Sequence, residues 1–275
     1  MPRESFQQRL GSVLRKQGTH LCVGLDPDPS KMPHPLHGRR GADAIETFVE
    51  GIIEATRPVC SAYKFQLASY LAFGAEGMAV LPTLLRRIGD ARIKILDLKA
   101  GDIPNTMTLY AQGVFDRLGF DAMTVSPFLG WESVDAALTN PTKGAFVLAH
   151  TSNPGSRDLQ DRTVDGRPLW EELLEHIHER SGPGNVGAVV GATFPGAVAR
   201  AREVLGPEVP LLVPGVGSQG GDLAAVLEHG RGKEGGALLV NSSRGILFAS
   251  SGDDWKEAAR AEATRSARSM RLPSP

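Results

Sequence analysis

The sequence has few thiols, no surplus of charge and no long apolar run. Cys22 and Cys60 are its only cysteines. Each falls in an apolar run that reads as a strand. That excludes a disulfide scaffold and fits a reducing compartment. With no third thiol and no Cys-x-x-Cys pair, a thiolate zinc site has no ligand set. Lys and Arg total 30 against 31 Asp and Glu, a formal charge of −1. Such a balance provides neither a basic field for nucleic acid nor an acidic tail. No window reaches the roughly 18 continuous apolar residues of a membrane helix. Met1–Gln17 is polar and lacks the apolar segment of a secretory leader. The expectation is a soluble, cytoplasmic protein without nucleic-acid or membrane partners.

What is present is ordinary globular material. Hydrophobic residues make up 41% and charged residues 22% of 275 positions, enough to build a core and too apolar for whole-chain disorder. No low-complexity linker divides the chain, so residues 1–275 read as a single domain. Apolar, β-branched runs recur at His20–Leu25, Val59–Phe65, Ile93–Leu98, Ala122–Val125, Ala145–Ala149, Val186–Val190, Pro210–Pro214 and Ala237–Asn241. They are continuous rather than alternating, as strands covered on both faces are. Helical spacing follows each run: Gly41–Arg57, Gly74–Ile88, Met107–Leu118, Ser133–Leu138, Pro168–Arg180, Pro195–Leu205, Gly221–His229 and Trp255–Met270. Strand–helix alternation implies a parallel sheet. Eight units in a chain of this length predict an α/β fold, the (β/α)8 TIM barrel. A doubly wound open sheet is the alternative. Two long irregular stretches remain, Pro27–Arg40 and His150–Gly166, and loops of that length are usually functional.

A barrel builds its active site at the C-terminal ends of its strands. Six of the eight predicted ends are polar. Asp26 ends the first, and the second contains Lys64 in an otherwise apolar segment. A buried Lys needs a carboxylate nearby. The third ends in Asp97-Leu98-Lys99, with Asp102 three residues on. Period two turns Asp97 and Lys99 to the barrel interior and Leu98 outward. The bland reading is a structural ion-pair network. Gly215-Val216-Gly217-Ser218-Gln219-Gly220 matches Gly-x-Gly-x-x-Gly between a strand and a helix. A dinucleotide fingerprint normally opens its fold, however, and the next strand ends in Asn241, not in an acid for a ribose. The loops after strands seven and eight form the usual phosphate site of such barrels, and Arg244 adds a forked charged donor. The seven histidines show no metal-ligand spacing. Only His150 lies at a strand end, where it reads as a packing or loop-anchoring residue.

These segments resemble the orotidine 5′-phosphate decarboxylase family. Asp97-Leu98-Lys99-Ala100-Gly101-Asp102-Ile103 is similar to its Asp-x-Lys-x-x-Asp-Ile signature. Gly24-Leu25-Asp26-Pro27-Asp28 and Tyr63-Lys64-Phe65-Gln66 resemble its first two strand motifs. Thr124–Gly130, Thr151–Ser156 and Pro214–Gly217 resemble the bacterial type 2 branch. The likeness runs from about Leu21 to Gly245.

The resemblance implies decarboxylation of orotidine 5′-phosphate to UMP with neither metal nor organic cofactor, in a homodimer whose active sites lie at the interface. It implies catalytic roles for Lys64, Asp97, Lys99 and Asp102. Lys99 is then the proton donor to C6, Asp97 the carboxylate beside the departing group, and Asp102 the residue that reaches the partner subunit's site. It implies ribose contact by Asp26, a pyrimidine-amide contact by Ser152, and phosphate binding by Arg244 and Gln219. Thr106, Pro214, Gly215 and Gly245 complete the implied substrate contacts. Ala100 stands where many type 2 members carry Arg, which removes a local salt bridge. The Asp-x-Lys-x-x-Asp pattern also occurs in Mg²⁺-dependent sugar-phosphate lyases and decarboxylases. A nicotinamide-dependent oxidoreductase and a non-catalytic barrel are the remaining alternatives.

Overall fold

The structure is a computed structural model that describes residues 4–39, 41–216, 220–232 and 237–272. Its centre is a closed barrel of eight parallel strands in sequential order. They are β1 (Leu21–Leu25), β2 (Ala62–Gln66), β3 (Ile93–Ala100), β4 (Ala122–Val125), β5 (Gly144–His150), β6 (Val186–Val190), β7 (Leu211–Val213) and β8 (Leu238–Ser242). The pairing of β8 with β1, Cys22 opposite Asn241, closes the ring and rules out the open sheet. All positions of β1, β4, β6 and β7 are buried. Two covered faces per strand are the reason the sequence shows solid apolar runs.

Among the described residues twelve α-helices accompany the strands: α1 (Phe6–Gln17), α2 (Gly41–Thr56), α3 (Leu67–Leu71), α4 (Gly74–Ala79), α5 (Leu81–Ile88), α6 (Pro104–Ala111), α7 (Trp131–Ala137), α8 (Leu169–Glu179), α9 (Pro195–Leu205), α10 (Leu223–Gly230), α11 (Arg244–Leu247) and α12 (Trp255–Ser269). A larger apolar cluster fills the space between barrel and helices. No helix among the described residues is long and apolar enough to cross a membrane.

Several boundaries differ from expectation. Arg57–Val59 is a 3₁₀ turn, so β2 starts at Ala62 and not at Val59; Pro58 fixes φ for the turn and gives no strand donor. The expected helix Gly74–Ile88 is α4 and α5, meeting at Val80, with Pro82 in the first turn of α5 where its missing N–H costs nothing. The expected helix Met107–Leu118 begins at Pro104 for the same reason, and its second half, Gln112–Leu118, widens into π-helical turns. The stretch after His150 is ordered. It holds a 3₁₀ turn, Pro154–Asp158, and a hairpin pairing Thr163–Val164 with Arg167–Pro168. Asp165 and Gly166 both have positive φ there, 48° and 84°, the backbone a two-residue hairpin turn requires.

The polar N-terminal segment contains an unforeseen element, α1. Ser5 and Gln8 form a reciprocal capping box, and Phe6, Leu10, Val13 and Leu14 recur at helical spacing. These four plug the N-terminal end of the barrel against Ile93, Ile95, Ala122, Phe146 and Leu239. The rings of Phe6 and Phe146 meet edge to face at 5.8 Å. Gly144 leaves room for this plug: a Cβ there would lie 2.5 Å from the Phe6 ring. Burying each side chain contributes roughly 1.5–3 kcal/mol.

Candidate active site

With α1 packed across one end of the barrel, the other end carries the opening. The C-terminal mouth holds a cavity of about 860 Å³. Its acidic and basic wall comes from β1, β2 and β3, because barrel register sets their ends side by side: Gly24 pairs with Lys64, and Gln66 with Asp97. Lys64 is almost fully buried and donates to Asp97 Oδ2 at 3.0 Å and to Asp26 Oδ1 at 3.5 Å. Burial opposes its charge, but Asp26 and Asp97 outweigh burial and hold the ammonium above its ordinary range. Asp97 shows the converse. Burial would raise its carboxyl, yet Lys64 and Lys99 hold it down at about 2. Lys99 Nζ donates to Asp97 Oδ1 at 2.6 Å, with its side chain 44% exposed toward the cavity. The array is two ammonium groups sharing one buried carboxylate, and one of the two is open.

The strand is not regular at this point. Pairing of β3 with β4 shifts register between Leu96 and Ala100, and Lys99 has φ +51°. A left-handed backbone costs a side-chain-bearing residue roughly 1–2 kcal/mol. Simple period-two alternation therefore does not describe how Lys99 reaches the interior; a bulge re-aims it. Asp102 does not join this array within one chain. Its carboxylate caps the Ile103 N–H at 2.7 Å and makes no ion pair among the described residues. Within one chain Lys99 has one flanking carboxylate, not two.

The opposite wall of the cavity contains Ser152, Pro214, Gly215, Val216 and Arg244. Arg244 opens α11 directly after β8, is exposed, and forms no salt bridge among the described residues. Gly24 permits this wall to approach β1: a Cβ there would lie 1.9 Å from Ser243 Oγ. Gln219 lies outside the described residues. Thr106 lines a separate outer groove beside α6, and Gly245 does not line the mouth cavity. His150 is buried, bonded to Asp161 at 2.9 Å and packed between Trp170 and Phe194, so it anchors the loop that follows.

Thr124, Gln66 and Asn241 also line the cavity, although the sequence reading gave them no part in the site. Gln66 Nε2 lies 3.5 Å from Asp97 Oδ2. Its place two residues after Lys64, on the same strand face, was the available signal. Asn241 is buried, with Oδ1 lacking a partner.

Fold and site together define a (β/α)8-barrel enzyme with its chemistry at the C-terminal mouth, able to set positive charge and a proton beside one end of an anionic substrate and a guanidinium at the other. Residues 19–261 match the model of the orotidine 5′-phosphate decarboxylase / HUMPS family, and the chain belongs to that family. It is 45% identical over 270 residues to an orotidine 5′-phosphate decarboxylase of Polaromonas naphthalenivorans, covering 95% of this chain and 93% of the relative. A decarboxylase of the same name from Cupriavidus necator is 43% identical over 260 residues, 93% of this chain and 94% of its own. Among solved structures, Leishmania donovani OMP decarboxylase superposes with a TM-score of 0.83 at 36% identity, covering 97% of this chain and 99% of that one.

Proposed function

We propose that the protein is a carboxy-lyase that converts orotidine 5′-phosphate to UMP and CO₂ in pyrimidine biosynthesis. Family membership over most of the chain supports the reaction. The observation that carries its chemistry is the open Lys99 ammonium, held by Asp97 on the same cavity as Arg244. In this reading the bond from C6 to the carboxylate breaks, CO₂ leaves, and the electron pair stays on C6. Lys99 Nζ stabilises that charge and transfers a proton to C6, giving UMP; solvent then reprotonates the amine. Asp97 keeps Lys99 oriented and charged. The protein's own ammonium supplies the positive charge, so the reading gives no role to a metal or organic cofactor. Asp26 and Lys64 serve the ribose, Ser152 the pyrimidine amide, and Arg244 with the Pro214–Gly215 backbone the phosphate. Phosphate contacts far from C6 raise the rate by driving closure of the loops over the site.

The same reading makes the enzyme a homodimer. Ile103, Leu109, Tyr110, Phe128 and Leu129 are all at least 40% exposed. They lie on and beside α6 and α7, which pack together. Asp102 and Thr106 belong to this apolar segment and have no role in their own chain's cavity, so each serves the site of a second copy. The buried, free thiols Cys22 and Cys60 suit a cytoplasmic enzyme.

The test is direct. Purified protein mixed with orotidine 5′-phosphate in EDTA loses the substrate's ultraviolet absorbance; a folded sample that leaves the absorbance unchanged defeats the assignment. Mixing inactive Lys99→Ala and Asp102→Ala subunits restores part of the activity if Asp102 acts across the interface.

A further inference from the structure

We infer that Thr124 is a positioning residue for this reaction, its hydroxyl holding both Asp97 and Lys99 in their working geometry. The inference rests on the decarboxylase reading above. Thr124 lies on β4, is 2% exposed and faces the mouth cavity. Its Oγ1 donates to Asp97 Oδ1 at 2.9 Å and accepts from the Lys99 backbone N–H, also at 2.9 Å. The direction of both bonds is fixed by chemistry. An ionised carboxylate only accepts and a peptide N–H only donates, so the hydroxyl proton has one destination.

The two bonds meet at the irregular point of the barrel. Where the β3–β4 ladder loses register, the Lys99 N–H turns to a side chain on β4. Thr124 is that side chain and so supports a residue at φ +51°. The same hydroxyl limits the carboxylate. Asp97 Oδ1 receives Lys99 Nζ and Thr124, while Oδ2 receives Lys64 and, at longer range, Gln66. With donors on both oxygens the carboxylate has one rotamer, and with its N–H anchored the Lys99 ammonium has one origin. A residue without a hydroxyl leaves an orphan N–H beside a strained φ, and both the backbone and the ammonium relax.

Thr124→Val keeps the shape and removes the hydroxyl, while Thr124→Ser keeps the hydroxyl. Thr124→Val is expected to lower kcat by about 100-fold, the scale of an ångström misplacement of a reacting group. KM for orotidine 5′-phosphate and Kd for UMP stay within about threefold, because binding groups are untouched. Thr124→Ser stays within about fivefold of the parent kcat. Amide hydrogen exchange at Lys99, protected in the parent and in Thr124→Ser, accelerates in Thr124→Val. A folded Thr124→Val protein with parental kcat overturns the inference, as does equal impairment of the Val and Ser variants. If the parent protein itself fails to turn over orotidine 5′-phosphate, the functional reading is lost, and Lys99 amide exchange still decides whether Thr124 is the anchor.

Discussion

The two ends of the barrel contain nearly the same inventory of charge. At the mouth, Asp97 is shared by Lys64 and Lys99. At the bottom, Asp121 is buried among Arg9 at 2.7 Å, Lys143 at 3.8 Å and Lys94 at 3.9 Å. Only one end has the geometry of a reaction site. At the bottom every cation is also committed to backbone: Arg9 to the Asp90 carbonyl, Lys94 to Gly89 and Lys143 to Phe120. Asp121 additionally accepts from the Lys94 N–H, and α1, which brings Arg9, covers the opening. At the mouth the ammonium of Lys99 is tied by one carboxylate and is otherwise open to a cavity. A buried acid with cations around it is thus a tie where its partners are saturated, and a tool where one is left facing space.

The widest gap between the ends is expected for Lys99→Ala. On the proposed mechanism this removes both the proton donor and the charge beside C6, and kcat falls by at least about 10³-fold with little loss of stability. The readout is steady-state decarboxylation alongside urea unfolding. Asp121→Asn is the mirror experiment. Breaking a buried pair destabilises by about 3–5 kcal/mol, while kcat of the folded enzyme stays at the parental value. A large fall in kcat with stability intact sinks the contrast between the two ends.

Arg244→Ala tests the far side of the mouth. On the proposed reading it removes a charged phosphate contact and lowers transition-state stabilisation by about 2–5 kcal/mol, read from kcat/KM. An unchanged kcat/KM in Arg244→Ala removes the guanidinium from the phosphate site.

The asymmetry between the ends also explains what the sequence made legible. The eight strands announce themselves because burial on both faces demands apolar runs, clearest in the β-branched Val186–Val190. Lys64 and Asp97-Leu98-Lys99 stand out because charge is costly within such runs. α1 was hidden by its polar outer face, although Ser5, Gln8 and the Phe6-Leu10-Val13-Leu14 spacing carry the signal. The bulge at Lys99 and the bonds of Thr124 depend on register between β3 and β4, which is tertiary and leaves no trace in local pattern. Asp102 lies three residues from Lys99 in sequence, but where its carboxylate goes, to the Ile103 N–H within one chain, depends on the local backbone after the strand and not on residue pattern.

Acid separates the ends by the smallest but most graded effect. His20 lies at the bottom, just before β1, with Nδ1 on the Leu238 carbonyl at 3.1 Å and Nε2 buried without a partner. Burial, with a lesser push from Arg231, lowers its pKa from 6.5 to about 4, against the opposing Leu238 bond. The unfolded chain therefore binds a proton that the native chain refuses between those two values, and stability falls as pH drops through that window. The slope reaches at most about 1.4 kcal/mol per pH unit, and about 3 kcal/mol in total. Asp97 has a depressed pKa, so its contribution is intact above 3.8 and is lost only as pH falls toward about 2. Acid thus reaches the bottom before it touches the Asp97 array, and His150 beside the mouth, held below its ordinary range by burial against the Asp161 bond, adds to the same loss. Urea unfolding at pH 7, 5.5 and 4 measures the first window, and His20→Asn, which keeps a donor for Leu238 and does not titrate, reduces its slope. A slope in that variant equal to the parent's places the acid sensitivity elsewhere and leaves the bottom no more fragile than the mouth.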